Sequence, residues 1–373
     1  MRSSLKLLTV REIDIRLHIT FPLILVWAAL QFGLLSGNIS SAIFGVVAIS
    51  LLFFLVTLHE LGHSIAAQYY KIPVKQIILS PIGGVAQLSH IPEKPIQEFI
   101  IAIAGPAVNL AVALLMSLIL LTPLVGLSDP TLTLMGRSGF SLTGLFSYIF
   151  FYNILLALFN LIPAFPLDGG RIFRSLMAMR LDYVRATKIA ALVGRIVAIG
   201  LGIFGILNGG FFLLFIAIFI FFGAGQEANI VQIRNTLRRY TVRDVYSASV
   251  YRLLPDSTVQ QARNIMIFGR QRNFPIVVED HLVGFISYSD FMKALPATVA
   301  HTRVSTIMIQ KIRPVVCDDD LFLVQQRLIE DGTGALPVVD GDHFLGMVTQ
   351  EQINNLQRQL SDSPKAVVQN QSA

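Results

Sequence analysis

Leu51-Leu52-Phe53-Phe54-Leu55-Val56-Thr57-Leu58-His59-Glu60-Leu61-Gly62-His63-Ser64-Ile65-Ala66-Ala67 is the stretch on which the reading of this chain turns. Its first half is apolar enough to lie in a bilayer, and its second half carries the pattern H-E-x-x-H. On a helix, His59 and His63 stand four residues apart and so on one face. At that spacing both imidazoles reach a single Zn²⁺, with Glu60 beside them as a general base. Two histidines and a glutamate at the end of a hydrophobic span are expensive to bury without a partner. The run therefore predicts a hydrolytic metal centre at membrane depth.

Composition agrees. Of 373 residues, 54% are hydrophobic and only 14% charged, too apolar for an ordinary soluble enzyme. The excess fills positions 17 to about 223, and the remainder reads as a soluble domain. The net charge of +6 does not imply a nucleic-acid partner, because the basic residues mostly flank hydrophobic spans. Cys317 is the only cysteine, which excludes an intrachain disulfide and reads as a half-buried thiol. No cleavable signal peptide is expected, since no small-residue cleavage site follows the first span.

The pattern predicts a multi-pass α-helical membrane protein of about six transmembrane helices, followed by a C-terminal soluble α/β domain. Alternation from Glu12 to Ile19, with Ile13, Ile15, Leu17 and Ile19 on one side, predicts a short strand. The expected spans are Leu17–Leu35, Ala42–Ala67, Phe99–Leu121, Gly139–Leu161, Ile189–Leu207 and Phe211–Phe222. The last two form a tight hairpin over Asn208-Gly209-Gly210, and the sixth is short for a bilayer. Val74–Leu88, broken by Gly83-Gly84, reads as a β-hairpin near the membrane surface.

Lysine and arginine orient the spans. Arg2, Lys6, Arg11 and Arg16, then Lys71, Lys75 and Lys94, then Arg171, Arg174, Arg180, Arg185 and Lys188 all fall on one side, and the other side holds Arg137. The positive-inside rule makes both termini cytoplasmic, with the active site toward the cytoplasmic half of a cell membrane. Arg195, inside the fifth span, is expected to snorkel to the cytoplasmic surface, the alternative being that it faces the bundle interior.

Catalytic zinc wants a third protein ligand. Asp168 directly follows the fourth span, which runs toward the cytoplasm and brings it to the level of His63. His59-Glu60-Leu61-Gly62-His63, Gly105-Pro106-Ala107-Val108-Asn109 and Asn160-x-x-Pro163-x-x-Pro166-Leu167-Asp168-Gly169 together resemble the site-2 protease family of intramembrane zinc metalloproteases. The resemblance covers residues 10 to about 225. It implies one zinc held by His59, His63 and Asp168, with Glu60 as base toward a metal-activated water, and a transmembrane segment of another protein as substrate. Asn109 and Asn160, polar in apolar spans, are candidates for binding the substrate backbone or an oxyanion, or for helix–helix hydrogen bonds.

Residues 241–357 hold an internal repeat of about 61 residues. Phe274-Pro275-Ile276-Val277-Val278 and Leu282–Ser287 recur as Ala335-Leu336-Pro337-Val338-Val339 and Phe344–Thr349. The repeat resembles a pair of CBS motifs. The expected domains are 1–230 for the membrane protease, 241–295 and 304–360 for the two motifs, and 361–373 for a disordered tail. Gly284-Phe285-Ile286-Ser287-Tyr288-Ser289-Asp290 matches the family's nucleotide-contact pattern, which implies Ser287 on a phosphate and Asp290 on ribose hydroxyls of ATP or another adenine nucleotide. The second copy has Gln352 for the aspartate, so one site per chain is expected. A structural module, or one that joins chains into a homo-oligomer, is the alternative. The competing functions are a CBS-regulated metal-ion transporter and an inactive binding protein of the same fold, and the intact Glu60 speaks against both.

Overall fold

Alternating Ile13, Asp14, Ile15 and Arg16 form strand β2 (Ile13–His18) in the computed structural model, which describes residues 4–81, 83–88, 94–120, 142–269, 271–293, 302–310 and 312–362. Arg137, the start of the fourth expected span and the tail from residue 363 lie outside the described residues. The alternation sorts β2 by face: Ile13 and Ile15 are buried, while Asp14 pairs with Lys6 at 2.7 Å. That ammonium holds the Asp14 carboxyl below the usual carboxylate range. Ile19 lies past the strand and is exposed, contrary to expectation.

A strand that the alternation missed, β1 (Ser4–Val10), pairs antiparallel with β2, and a bulge between Lys6 and Leu8 breaks its period of two. The expected hairpin is β3 (Val74–Ser80) and β4 (Gly83–Leu88). β2 and β3 run parallel, giving one sheet of order β1-β2-β3-β4. Its buried residues Ile13, Ile15, Ile77 and Leu79 pack with Ala67, Ile72 and Ile101. This cluster pins the sheet beside the histidine-bearing helix and leaves β4 at an edge.

Helix α1 (Phe21–Ser36) has Pro22 in its first turn and stops at Gly37, whose φ of 63° suits a residue without Cβ. In α2 (Ile39–Tyr69) the Asn38 side chain caps the start by accepting from the Ser40 amide at 2.9 Å, worth about 1 kcal/mol. There follow α3 (Pro95–Leu120), α4 (Leu142–Asn160), α5 (Asp168–Ala178), α6 (Tyr183–Leu207) and α7 (Phe211–Leu237).

Five of these, α2, α3, α4, α6 and α7, are long and apolar enough to cross a membrane. Their Leu, Ile and Phe side chains are widely exposed, as lipid-facing surfaces must be; Phe211 is 79% exposed. The first expected span is shorter than the rest, because Leu17 and His18 belong to β2 and the helix keeps 16 residues. The last is longer than expected at 27 residues. Gly223 and Gly225 let Pro166 and the Arg195 guanidinium approach that helix closely. Arg195 is exposed and lies over the Phe221 ring at 5.5 Å, so it does not face the bundle interior. The α6–α7 hairpin turns through Gly209 at φ 67°.

Contacts divide the chain into two compact units, Met1–Asn229 and Ile230–Ala373. In the second, the repeats fold alike: α8 (Val259–Gly269), β5 (Phe274–Val278), β6 (His281–Ile286) and α9 (Tyr288–Lys293) against β7 (Val315–Val316), α10 (Leu321–Asp331), β8 (Ala335–Asp340), β9 (His343–Thr349) and α11 (Gln350–Asp362). They join in one sheet of order β5-β6-β9-β8-β7. The seam between them pairs His281 with His343, whose rings stack at 5.1 Å. Cys317 is half-buried, packed against the core of the second repeat as expected.

Candidate metal centre

His59 and His63 occupy one face of α2, and their Nε2 atoms lie 3.1 Å apart. Asp168, the first residue of α5, brings Oδ2 to 3.1 Å from each of them. Donor atoms about 2.0–2.1 Å from a tetrahedral zinc sit roughly 3.3 Å from one another, so the three fit that ion's coordination edge. Among the described residues these three form the one cluster of histidine, cysteine and acidic side chains with a metal-ligand arrangement.

The surroundings orient the donors. His63 Nδ1 donates to the Ile101 carbonyl at 2.6 Å, which leaves its Nε2 lone pair free for a metal. His59 is buried, and its Nδ1 has no hydrogen-bond partner among the described residues. Helix α3 passes against both rings at Gly105: a Cβ there would collide with His63 Nε2 and sit 2.7 Å from His59 Nε2. Gly62 makes the reciprocal approach, with room for the Ala104 carbonyl and Val108 but none for a Cβ. The G-x-x-x-N run thus begins with a residue whose missing side chain makes space for the imidazoles.

Asp168 is placed by a loop folded back on its own helix. A Cβ on Gly169 would overlap the backbone of Leu161 and Ile162, and one on Gly170 would sit 2.6 Å from the Phe165 nitrogen. Ala164 and Phe165 are fully buried. The Gly169-Gly170 pair is therefore required by close packing, and the Pro163 and Pro166 turns set the aspartate at the end of that path.

Glu60 lies beside the cluster and under β4. A Cβ on Gly84 would fall 2.8 Å from Glu60 Cγ and 3.1 Å from Val56 Cγ1. The edge strand of the sheet and the candidate base are thus in contact.

Asn109 stands one turn beyond Gly105 on α3 and is 1% exposed. Its carbonyl accepts from Asn153 Nδ2 at 2.7 Å, and its own Nδ2 lacks a partner among the described residues. Asn153, fully buried on α4, went unread in the sequence, although a polar residue within an apolar span is the same signal that marks Asn109. Asn160 closes α4, eight residues before Asp168.

Ser287 and Asp290 come together at the start of α9, the serine hydroxyl donating to the carboxylate at 2.5 Å. In the second repeat Thr349 and Gln352 make the same reciprocal cap, at 3.0 Å between side chains and 2.8 Å from the Thr349 amide. The glutamine thus keeps the cap while losing the charge.

A second polar cluster was also missed. Arg174, one of the basic residues used to orient the spans, is 1% exposed and paired with Glu98 and Glu227. Charges within an apolar unit need such partners, and Glu98 and Glu227 beside hydrophobic spans are the signal that predicts one.

A family model for Peptidase family M50 matches residues 47–131 and 125–201, and one for the CBS domain matches 242–297 and 304–357. A zinc metalloprotease of Methanocaldococcus jannaschii is 31% identical over 353 residues, covering 95% of this chain and 96% of that protein. A candidate zinc metalloprotease of Synechocystis sp. is 31% identical over 83% of this chain and 81% of its own length. Among solved structures, a site-2 protease from Methanocaldococcus jannaschii aligns with 36% identity over 60% of this chain and 95% of its own, at a TM-score of 0.44.

Proposed function

The chain belongs to peptidase family M50, the site-2 proteases, with a CBS pair following its membrane helices, and from that premise we propose that it is an intramembrane zinc endopeptidase whose activity is adjusted through the CBS pair. Membership makes it a zinc metalloprotease and a membrane protein. What carries the finer reading is the mutual 3.1 Å spacing of His59 Nε2, His63 Nε2 and Asp168 Oδ2, with Glu60 alongside, among helices apolar enough for a bilayer.

His59, His63 and Asp168 would hold the zinc. Zinc bound there would activate a water and polarise a peptide carbonyl. Glu60 is the base that takes a proton from an attacking water and gives it to the amine as the peptide C–N bond breaks. Asn109 Nδ2, buried and without a partner among the described residues, is a donor for the substrate carbonyl, and Asn160 is a second candidate for the same task. A metal-transport site would have no use for a non-ligating carboxylate at position 60.

The substrate class is a transmembrane segment of another membrane protein. A membrane helix keeps its peptide groups in i→i+4 hydrogen bonds, so it must unwind locally before any of them can react. The unwound segment needs replacement hydrogen bonds, and β4, an edge strand against Glu60, offers them by strand addition. Both termini face the cytoplasm, and the metal lies in the cytoplasmic half of the bilayer.

One adenine nucleotide, such as ATP, binds per chain through Ser287 and Asp290. It alters cleavage by favouring one arrangement of the domain over another, which is the only way a ligand shifts an equilibrium. The test of the main reading is co-expression with single-span membrane proteins. Cleavage that Glu60→Gln abolishes supports it; cleavage that survives the substitution overturns it.

A further inference from the structure

Among the described residues the largest fully buried side chain is Arg174, and the proposed reaction gives it no task. It lies on α5, six residues after Asp168. Its Nε donates to Glu98 Oε1 at 2.9 Å, its Nη2 donates to the same oxygen, and its Nη1 donates to Glu227 Oε1 at 2.8 Å. Tyr183 donates its hydroxyl to Glu98 Oε2 at 3.0 Å. The guanidinium plane also lies over Phe165 at 4.8 Å and Tyr183 at 5.1 Å. One cation thus touches α3, the start of α6, α7 and the loop that delivers Asp168.

These contacts close a ring through the metal cluster. Asp168 Oδ2 meets His63 Nε2 at 3.1 Å, and His63 Nδ1 meets the Ile101 carbonyl at 2.6 Å. Glu98 is one turn before Ile101 on α3, and Arg174 joins Glu98 back to the helix that begins with Asp168. Leu167, at the N-cap of α5, makes no side-chain capping hydrogen bond, so the aspartate's position depends on what holds the helix and its loop. α3 carries the acceptor for one ligand, α5 carries another ligand, and the Arg174–Glu98 fork spans the gap between them. Groups behind metal ligands typically matter about 10- to 100-fold in metal affinity.

We propose that Arg174 and Glu98 are positioning residues for the metal centre: their buried fork sets the separation of Asp168 from His63 and so tunes metal affinity. The proposal rests on the metal reading given above. Glu227 extends the clasp to α7.

The test uses the full chain, purified in detergent and titrated with Co²⁺ in place of zinc. The readouts are the visible absorption of the bound ion, chelator competition and the melting transition. Removing one partner strands a buried charge, so the informative variant replaces all three, Arg174→Met with Glu98→Leu and Glu227→Gln, an exchange that buried ion pairs and triads commonly tolerate. The expected result is a folded protein with an altered cobalt spectrum and metal affinity lower by about tenfold or more. A folded triple variant with the wild-type spectrum and affinity overturns the proposal, because a merely structural cluster would act on melting alone. Should that variant not fold, Arg174→Lys decides by the same spectrum, since lysine keeps the charge and loses the fork. A wild-type chain that takes up no cobalt at His59, His63 and Asp168 overturns the metal reading itself; normal wild-type uptake with unchanged variants overturns this proposal alone.

Discussion

Gly105 and His59 approach so closely that a methyl group on the glycine would lie 2.7 Å from the imidazole Nε2. Nothing at that distance is compatible with an undisturbed ring. Gly105→Ala should therefore push the histidines out of register and lower metal affinity by about tenfold or more, a loss typical of misplaced ligand support. Gly200, on α6 with nothing within 4 Å of its would-be Cβ, is the control. Gly200→Ala should leave metal binding unchanged and stabilise by about 0.4–1 kcal/mol. Metal content by mass spectrometry and the melting transition check both.

The ligands and the base should separate cleanly. Glu60→Gln is expected to retain zinc and lose cleavage by at least about a hundredfold, the usual weight of a general base. Asp168→Ala should lose both metal and cleavage. Full zinc occupancy in a His59→Ala, His63→Ala double variant would sink the assignment.

Orientation is open to reporter fusions. A periplasm-active reporter should be active near Gly37 and near Ser128, and silent after Lys94, Arg185 and Gln226. Activity at Arg185 would reverse the topology and move the metal to the outer half of the membrane.

Calorimetry of the full chain with ATP should give about one site per chain, weakened about tenfold or more by Asp290→Ala, and nucleotide should change the cleavage rate. The substitution also removes half of a helix cap, a cost of about 1 kcal/mol that melting will show separately. Absence of binding at millimolar ATP makes the pair a structural module. Binding without any change in cleavage would leave the site and remove the coupling.

Much of this architecture is legible in the sequence. Apolar length marked the helices, alternation marked β2, and the repeat marked the second unit. The cluster of His59, His63 and Asp168 followed from spacing and shared depth. Other features were illegible for physical reasons. β1 is broken by a bulge at Lys6–Leu8, so its period disappears. The parallel pairing of β2 with β3 joins residues 62 apart, Asp14 with Gln76 for example, which no local pattern records. Arg174 looks like any other basic residue at a membrane edge; Glu98 and Glu227 beside apolar spans signal a buried cation, but which of the many arginines and lysines answers them is set only by the packing. Gly105 and Gly84 are informative through what they leave empty, and only the neighbours reveal that.

β4 has six residues. If substrates add to it as proposed, the strand works as a ruler. Side chains on a strand alternate in direction, so a slip of one residue turns every substrate side chain to the opposite face, whereas a slip of two restores the match. Secondary cuts in any one substrate should accordingly fall two peptide bonds from the main cut, with the bond between them spared. The length of β4 also bounds how much helix must be melted, to about as many residues as the strand can pair. A membrane segment with a short weak patch would then be cut, and one that is uniformly firm would pass untouched.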